Sequence, residues 1–122
     1  MKIKEIAFVS YAVTDIKKSR EFYEKVLGLK PGSVWEGEDM AFIEYEMGEH
    51  TLAIGKGAPS FKPGAGGATV ALEAEDFDAT VKSLKKHHVP FVLEPHENSS
   101  CFMALVKDPD ENLVMIHHRK KK

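Results

Sequence analysis

The hydrophobic and polar positions of this chain switch between two periods, and then repeat the switch. Residues 6–13, IAFVSYAV, carry few charges and are rich in β-formers, which predicts a strand apolar on both faces. At Thr14-Asp15 the pattern turns helical. Ile16, Ser19, Tyr23, Val26 and Leu27 fall on one stripe, with Lys17, Lys18, Arg20, Glu21 and Glu24 mostly outside it. Asp15 suits the N-cap, Gly28 the left-handed position after the last turn, and Pro31 prevents the helix from resuming. Strands are then predicted around residues 32–36, 40–46 and 51–55, separated by turns at 37–39 and 48–50. The first half reads β-α-β-β-β.

The second half repeats it. Val9 lines up with Val70, Asp15 with Asp76, Ile16 with Phe77 and Tyr23 with Leu84, all at an offset of 61. A strand at 68–74 leads to Asp76 as cap. A helix follows with Phe77, Thr80, Val81, Leu84 and His88 on one stripe, stopped by Pro90. Strands near 91–94, 101–107 and 113–118 complete the unit, and Leu52-Ala53-Ile54 matches Val114-Met115-Ile116 at an offset of 62. This duplication predicts two pseudo-symmetric modules, about 1–57 and 68–122, joined by a linker at about 58–67. Gly64-Ala65-Gly66-Gly67 in that linker lacks the Gly-Lys-Ser/Thr ending of a phosphate loop, so it reads as plain connector.

Composition narrows the classes. At 122 residues the chain is one domain's worth, with 43% hydrophobic and 30% charged residues, which are globular values. A formal net charge of -2 argues against a nucleic-acid binder, and the basic run Arg119–Lys122 reads as a solvated end. Cys101 is the only cysteine, so no intrachain disulfide is possible, and a cytoplasmic location is expected. No apolar run approaches the roughly 20 residues of a membrane span, and the N-terminal run reads as a strand, not a signal peptide.

Val13-Thr14-Asp15, Phe22-Tyr23-Glu24, Val26-Leu27-Gly28-Leu29 and Asp108-Pro109-Asp110-Glu111-Asn112 together give the chain its family likeness. It resembles the vicinal oxygen chelate superfamily, which includes glyoxalase I, the bleomycin and fosfomycin resistance proteins and the extradiol dioxygenases. Glu111 departs from the glycine usual there. The resemblance implies an α+β fold of two βαβββ modules, whose curled mixed sheets form a cup with the helices outside, often in a homodimer. In metal-using members the cup holds a divalent ion on four strand positions, which carry over to Phe8, Ala53, Thr69 and Met115. None is an imidazole or a carboxylate, so no metal cofactor is expected.

Strand alternation supplies the ligand-facing candidates. The predicted pocket between the modules is lined by Phe8, Ser10, Phe42, Glu44, Thr69, Glu73, Met115 and His117, with Ala12, Glu46, Ala71 and Leu113 on the same faces. Opposite to them, Val9-Tyr11-Val13, Ala41-Ile43-Tyr45, Val70-Leu72-Ala74 and Val114-Ile116 pack under the helices. A mostly apolar concavity with a few polar groups is the usual make-up of a small-molecule site. The expected function is binding of a small, partly apolar organic molecule without the family metal. The rival is a lyase, isomerase or epimerase in which burial raises Glu44 or Glu73 to serve as base, with His117 as acid, or with a displaced metal site. His96 and Cys101 flank a loop that could close over the cup, and Trp35 is expected at a wall or interface. A small-molecule ligand and a second copy of the chain are the expected partners, and neither nucleic acid nor membrane is.

Overall fold

The computed structural model describes residues 2, 5–58, 62–64 and 66–121. It divides into two compact units, 1–63 and 64–122, each of the α+β type with its own four-stranded mixed sheet. Part of the expected linker, at 59–61 and 65, lies outside the described residues.

In the first unit, β1 (Val9–Ala12) pairs in parallel with β4 (His50–Lys56). Antiparallel β3 (Ala41–Met47) and β2 (Pro31–Glu36) follow, giving the order β1-β4-β3-β2. The strand is shorter than the apolar run 6–13, because only residues 9–12 find partners on β4. Asp15 caps the helix as its sequence suggests, accepting the Lys18 N–H on Oδ1 at 3.1 Å. The helix is not uniform, however. It is α-helical over α1 (Ile16–Arg20) and widens to a π-helix over Glu21–Val26, where the Leu27 N–H reaches back to the Phe22 carbonyl at 2.9 Å. The wider turn brings the consecutive residues Phe22 and Tyr23 both into the core, edge to face at 5.0 Å. Phe22 was not on the expected stripe. Tyr23 then stacks between Tyr11 at 6.4 Å and Tyr45 at 5.9 Å, and Ile43, Leu52 and Ile54 complete the buried set. Gly28 takes the left-handed conformation at φ 74° and ends the helix.

The second unit repeats the plan as β5 (Val70–Glu73), α2 (Phe77–Lys86), β6 (Phe91–Glu97), β7 (Cys101–Lys107) and β8 (Leu113–Arg119), ordered β5-β8-β7-β6. Asp76 caps α2 by accepting the Ala79 N–H at 3.0 Å. Leu84 on the helix and Ala104, Val106, Val114 and Ile116 on the sheet are buried. His88 does not share the helical stripe: it is exposed at φ 58°, just beyond the helix end. There the Val89 N–H bonds Leu84 O and the His88 N–H bonds Lys85 O, a closure usually given to glycine.

The Asp108–Asn112 motif is a structural clamp. Both residues are buried, and the Asp108 carboxylate accepts the Asn112 N–H at 2.8 Å, its side-chain amide at 2.9 Å and the Asp110 N–H at 2.9 Å. The Asn112 amide oxygen in turn accepts the Gly64 N–H at 3.0 Å. Glu111 occupies the left-handed position of this turn at φ 68°, so the loop keeps a glycine-like shape with a side chain in it.

Candidate functional site

Each sheet has one face under its helix and one face free of it. Pairing register defines both. In the first unit Ser10 stands opposite Ala53, Ala53 opposite Glu44 and Glu44 opposite Ser33, one row across the helix-free face. The neighbouring row is Ala12, Gly55, Phe42 and Trp35. In the second unit the corresponding rows are Ala71, Met115, Leu105 and Leu93, then Glu73, His117, Met103 and His96. Val9 pairs with Leu52 exactly where Val70 pairs with Val114, so Ala53 and Met115 occupy equivalent places. Among the predicted contacts, Ser10, Phe42, Glu44, Glu73, Met115 and His117 lie on these helix-free faces, while Val114 and Ile116 are buried on the other side. Thr69 precedes β5 and is exposed, short of the strand expected to include it.

Phe8 and Phe42 meet across the first face. They lie on opposite sides of the Ser10–Ala53–Glu44 row, yet their rings are 5.7 Å apart and edge to face. Ala53 is fully buried, and the Ser10 hydroxyl is buried with no hydrogen-bond partner among the described residues. Phe8 still leaves 46% of its surface exposed, and Trp35 leaves 54%. The first face thus carries an aromatic pair and, among the described residues, one buried hydroxyl without a partner.

The second face carries the polar chemistry. His117 Nδ1 lies 2.6 Å from Glu73 Oε1, and Glu73 Oε2 accepts the Arg119 N–H at 2.6 Å, just beyond the end of β5. That backbone hydrogen bond, followed by the one from His117, holds the Glu73 carboxyl below its ordinary range. The expectation that burial would raise it is overturned, because the carboxylate is exposed and doubly hydrogen-bonded. Met103 in the same row, and Leu105 and Met115 in the next, are half-buried. His118, by contrast, points to the helix side, with its Nδ1 2.7 Å from Ala74 O and its ring 6.3 Å from Phe102.

The remaining polar candidates have structural partners. Cys101 is buried, and its N–H is held by Asn98 Oδ1 at 2.9 Å in the β6–β7 turn. His96 is in register with Met103 and not with Cys101, whose opposite residue is Arg119. Behind the first sheet, Glu24 accepts from Arg20 Nε at 2.7 Å and from the Tyr45 hydroxyl at 2.9 Å. Burial, reinforced by the Glu24 carboxylate, pushes the Tyr45 phenol well above its ordinary range. This network borders a shallow cleft of about 420 Å³, and a second of about 300 Å³ lies at the start of α2 beside Phe77 and His118. Neither contains a residue of the helix-free faces. Sequence reasoning missed the Arg20–Glu24–Tyr45 network, whose only signal was the i, i+4 spacing of Arg20 and Glu24.

Phe8, Ala53, Thr69 and Met115 offer a phenyl ring, a methyl, a hydroxyl and a thioether, a donor set that does not fit a divalent metal. Among the described residues no group of three or more His, Cys, Asp or Glu side chains is placed to hold a metal ion. No helix among them is long and apolar enough to cross a membrane.

Comparison with known proteins gives this geometry a family. The chain is 32% identical to YraH of Bacillus subtilis (strain 168), covering 96% of this chain and 98% of YraH. It is 27% identical to the lactoylglutathione lyase of Haemophilus influenzae, over 87% of this chain and 86% of that enzyme. Among solved structures, TnmS3, an antibiotic-binding protein from Streptomyces sp. CB03234, superposes with a TM-score of 0.82 at 21% identity, covering 98% of this chain and 99% of TnmS3. The trypanothione-dependent glyoxalase I of Leishmania major gives 0.76 at 24% identity, over 95% of this chain and 87% of that one. The family model of the glyoxalase/bleomycin resistance protein/dioxygenase superfamily matches residues 5–116, and the chain belongs to that superfamily.

Proposed function

We propose that this protein binds a small, partly apolar organic molecule on the helix-free faces of its sheets, without the family metal. The observation that carries the reading is the apolar occupancy of the family metal positions, with Phe8 packed edge to face against Phe42, and with Ala53 and Met115 at equivalent places in the two units. An aromatic and thioether surface with a few polar groups suits partition of an organic ligand, not coordination of an ion. The antibiotic-binding activity named for TnmS3 belongs to a protein of the same fold and is consistent with the reading.

Likeness to a lactoylglutathione lyase favours a second reading, a glyoxalase-like lyase, whose metal would need ligands other than the four inherited positions. One experiment separates the two. Protein dialysed against chelator is assayed for lactoylglutathione turnover with and without added zinc or nickel, and for metal content after re-dialysis. The binding reading expects no turnover in either case and no stoichiometric metal. About one retained ion per chain with metal-dependent turnover would establish the lyase instead.

A homodimer is part of the proposal. The edge strands β2 and β6 expose Val34, Trp35, Val92 and Leu93, and uncovered apolar edges invite pairing. Light scattering at high micromolar concentration should give twice the chain mass, and a monomer there would remove the dimer.

A further inference from the structure

Glu73 and His117 stand opposite each other in the parallel β5–β8 pair, and each carboxylate oxygen of Glu73 is already engaged. Oε1 meets His117 Nδ1 and Oε2 takes the Arg119 N–H, so the carboxylate is fixed at both ends. A carboxylate only accepts hydrogen bonds, which means that neutral His117 carries its proton on Nδ1. Its Nε2 is then a lone pair, and it has no hydrogen-bond partner among the described residues. Opposite His117 on β7 is Met103, and the adjacent row brings Met115 and Leu105. Thioethers are polarizable and pack well against aromatic rings. The face thus offers one fixed acceptor at the border of a soft apolar surface.

We propose that Glu73 and His117 anchor a hydroxylated aromatic ligand, whose O–H donates to His117 Nε2 while its ring lies over Met103, Leu105 and Met115. His117 is the contact, and Glu73 is a positioning residue that sets the tautomer. The proposal rests on the binding function above and names the ligand class that function takes. A purely structural Glu73 would tie down the end of β8 and leave ligand preference untouched.

Two measurements test it. Nitrogen-15 shifts of His117 at pH 8 should show Nδ1 protonated and Nε2 bare, and the opposite tautomer overturns the anchor. Equilibrium dialysis with 2-naphthol and with naphthalene then reads the preference, expected at about tenfold for 2-naphthol and absent in His117→Phe. Equal affinities in the original protein, or a preference that survives in His117→Phe, overturn the anchor and leave the binding function standing. Failure of both probes to bind at their solubility limits overturns both. Should His117→Phe fail to fold, Glu73→Ala replaces it. That variant should lose the preference, and Glu73→Gln, whose amide oxygen still accepts from Nδ1–H, should restore it; a preference unchanged in Glu73→Ala counts against the anchor.

Discussion

Two residues hold conformations that their side chains disfavour. Glu111 at φ 68° and His88 at φ 58° fill left-handed positions that cost a non-glycine residue roughly 1–2 kcal/mol, more than the entropy glycine would lose. Glu111 gains a contact from Lys107 at 3.1 Å, but an exposed pair contributes little. Glu111→Gly should therefore raise stability by about 0.5–1 kcal/mol, and His88→Gly by a similar amount, read as a higher urea midpoint at unchanged slope. An unchanged or lower midpoint would show that these turns are not strained. Glu73 makes a pH-dependent prediction. Its folded carboxyl lies below its ordinary value of 4.5, so its stabilisation is complete above that pH and is lost as pH falls through the folded value. Stability should decline less steeply below pH 4.5 in Glu73→Gln than in the original protein. Parallel acid limbs would mean that the Arg119 and His117 hydrogen bonds add nothing. The sequence made Glu73 and His117 candidates through strand parity alone. It could not show that a backbone N–H beyond the end of β5 would lower the carboxyl, because that contact depends on where two strands end relative to each other.

At the scale of elements, the caps and strand faces were legible because they depend on nearest neighbours. Asp15 and Asp76 each close a first turn three residues on, and alternation placed Tyr11, Ile43, Val114 and Ile116 beneath the helices. The π-turn was not legible. Slipping one hydrogen bond by a residue leaves no mark on a 3.6-residue stripe, yet it brings Phe22 in beside Tyr23. Just before it, Ser19 is fully buried with a hydroxyl that has no partner among the described residues. Ser19→Ala should stabilise the protein by about 1 kcal/mol, since it removes an unsatisfied polar group and improves helix propensity. Destabilisation in thermal melts would reveal a partner for that hydroxyl. Behind β3, Tyr45→Phe removes the donor to Glu24 from a partly buried charged network and should cost about 1–3 kcal/mol. A neutral result would mean that Arg20 alone satisfies Glu24.

For the whole molecule, the 61-residue repeat forecast two units of matching topology, and the identical Val9–Leu52 and Val70–Val114 registers bear out the repeated plan. What the repeat conceals is that the two helix-free faces have diverged, one aromatic around Phe8 and Phe42, the other thioether-rich around a Glu–His pair. The Phe8–Phe42 contact spans two strands diagonally, and no local pattern encodes the reach of two rings. The claim that these faces bind an organic molecule without metal is tested most directly by carbon-13 methyl spectra of methionine-labelled protein. The five methionines include Met103 and Met115 on the second face, with Met47, on the other face of β3 from Phe42 and Glu44, as an internal reference. Chelator-dialysed protein titrated with 2-naphthol should show saturable ring-current shifts at Met103 and Met115 without added metal. Shifts that appear only when zinc or nickel is supplied, or that leave both of these methyls unmoved, would contradict the account.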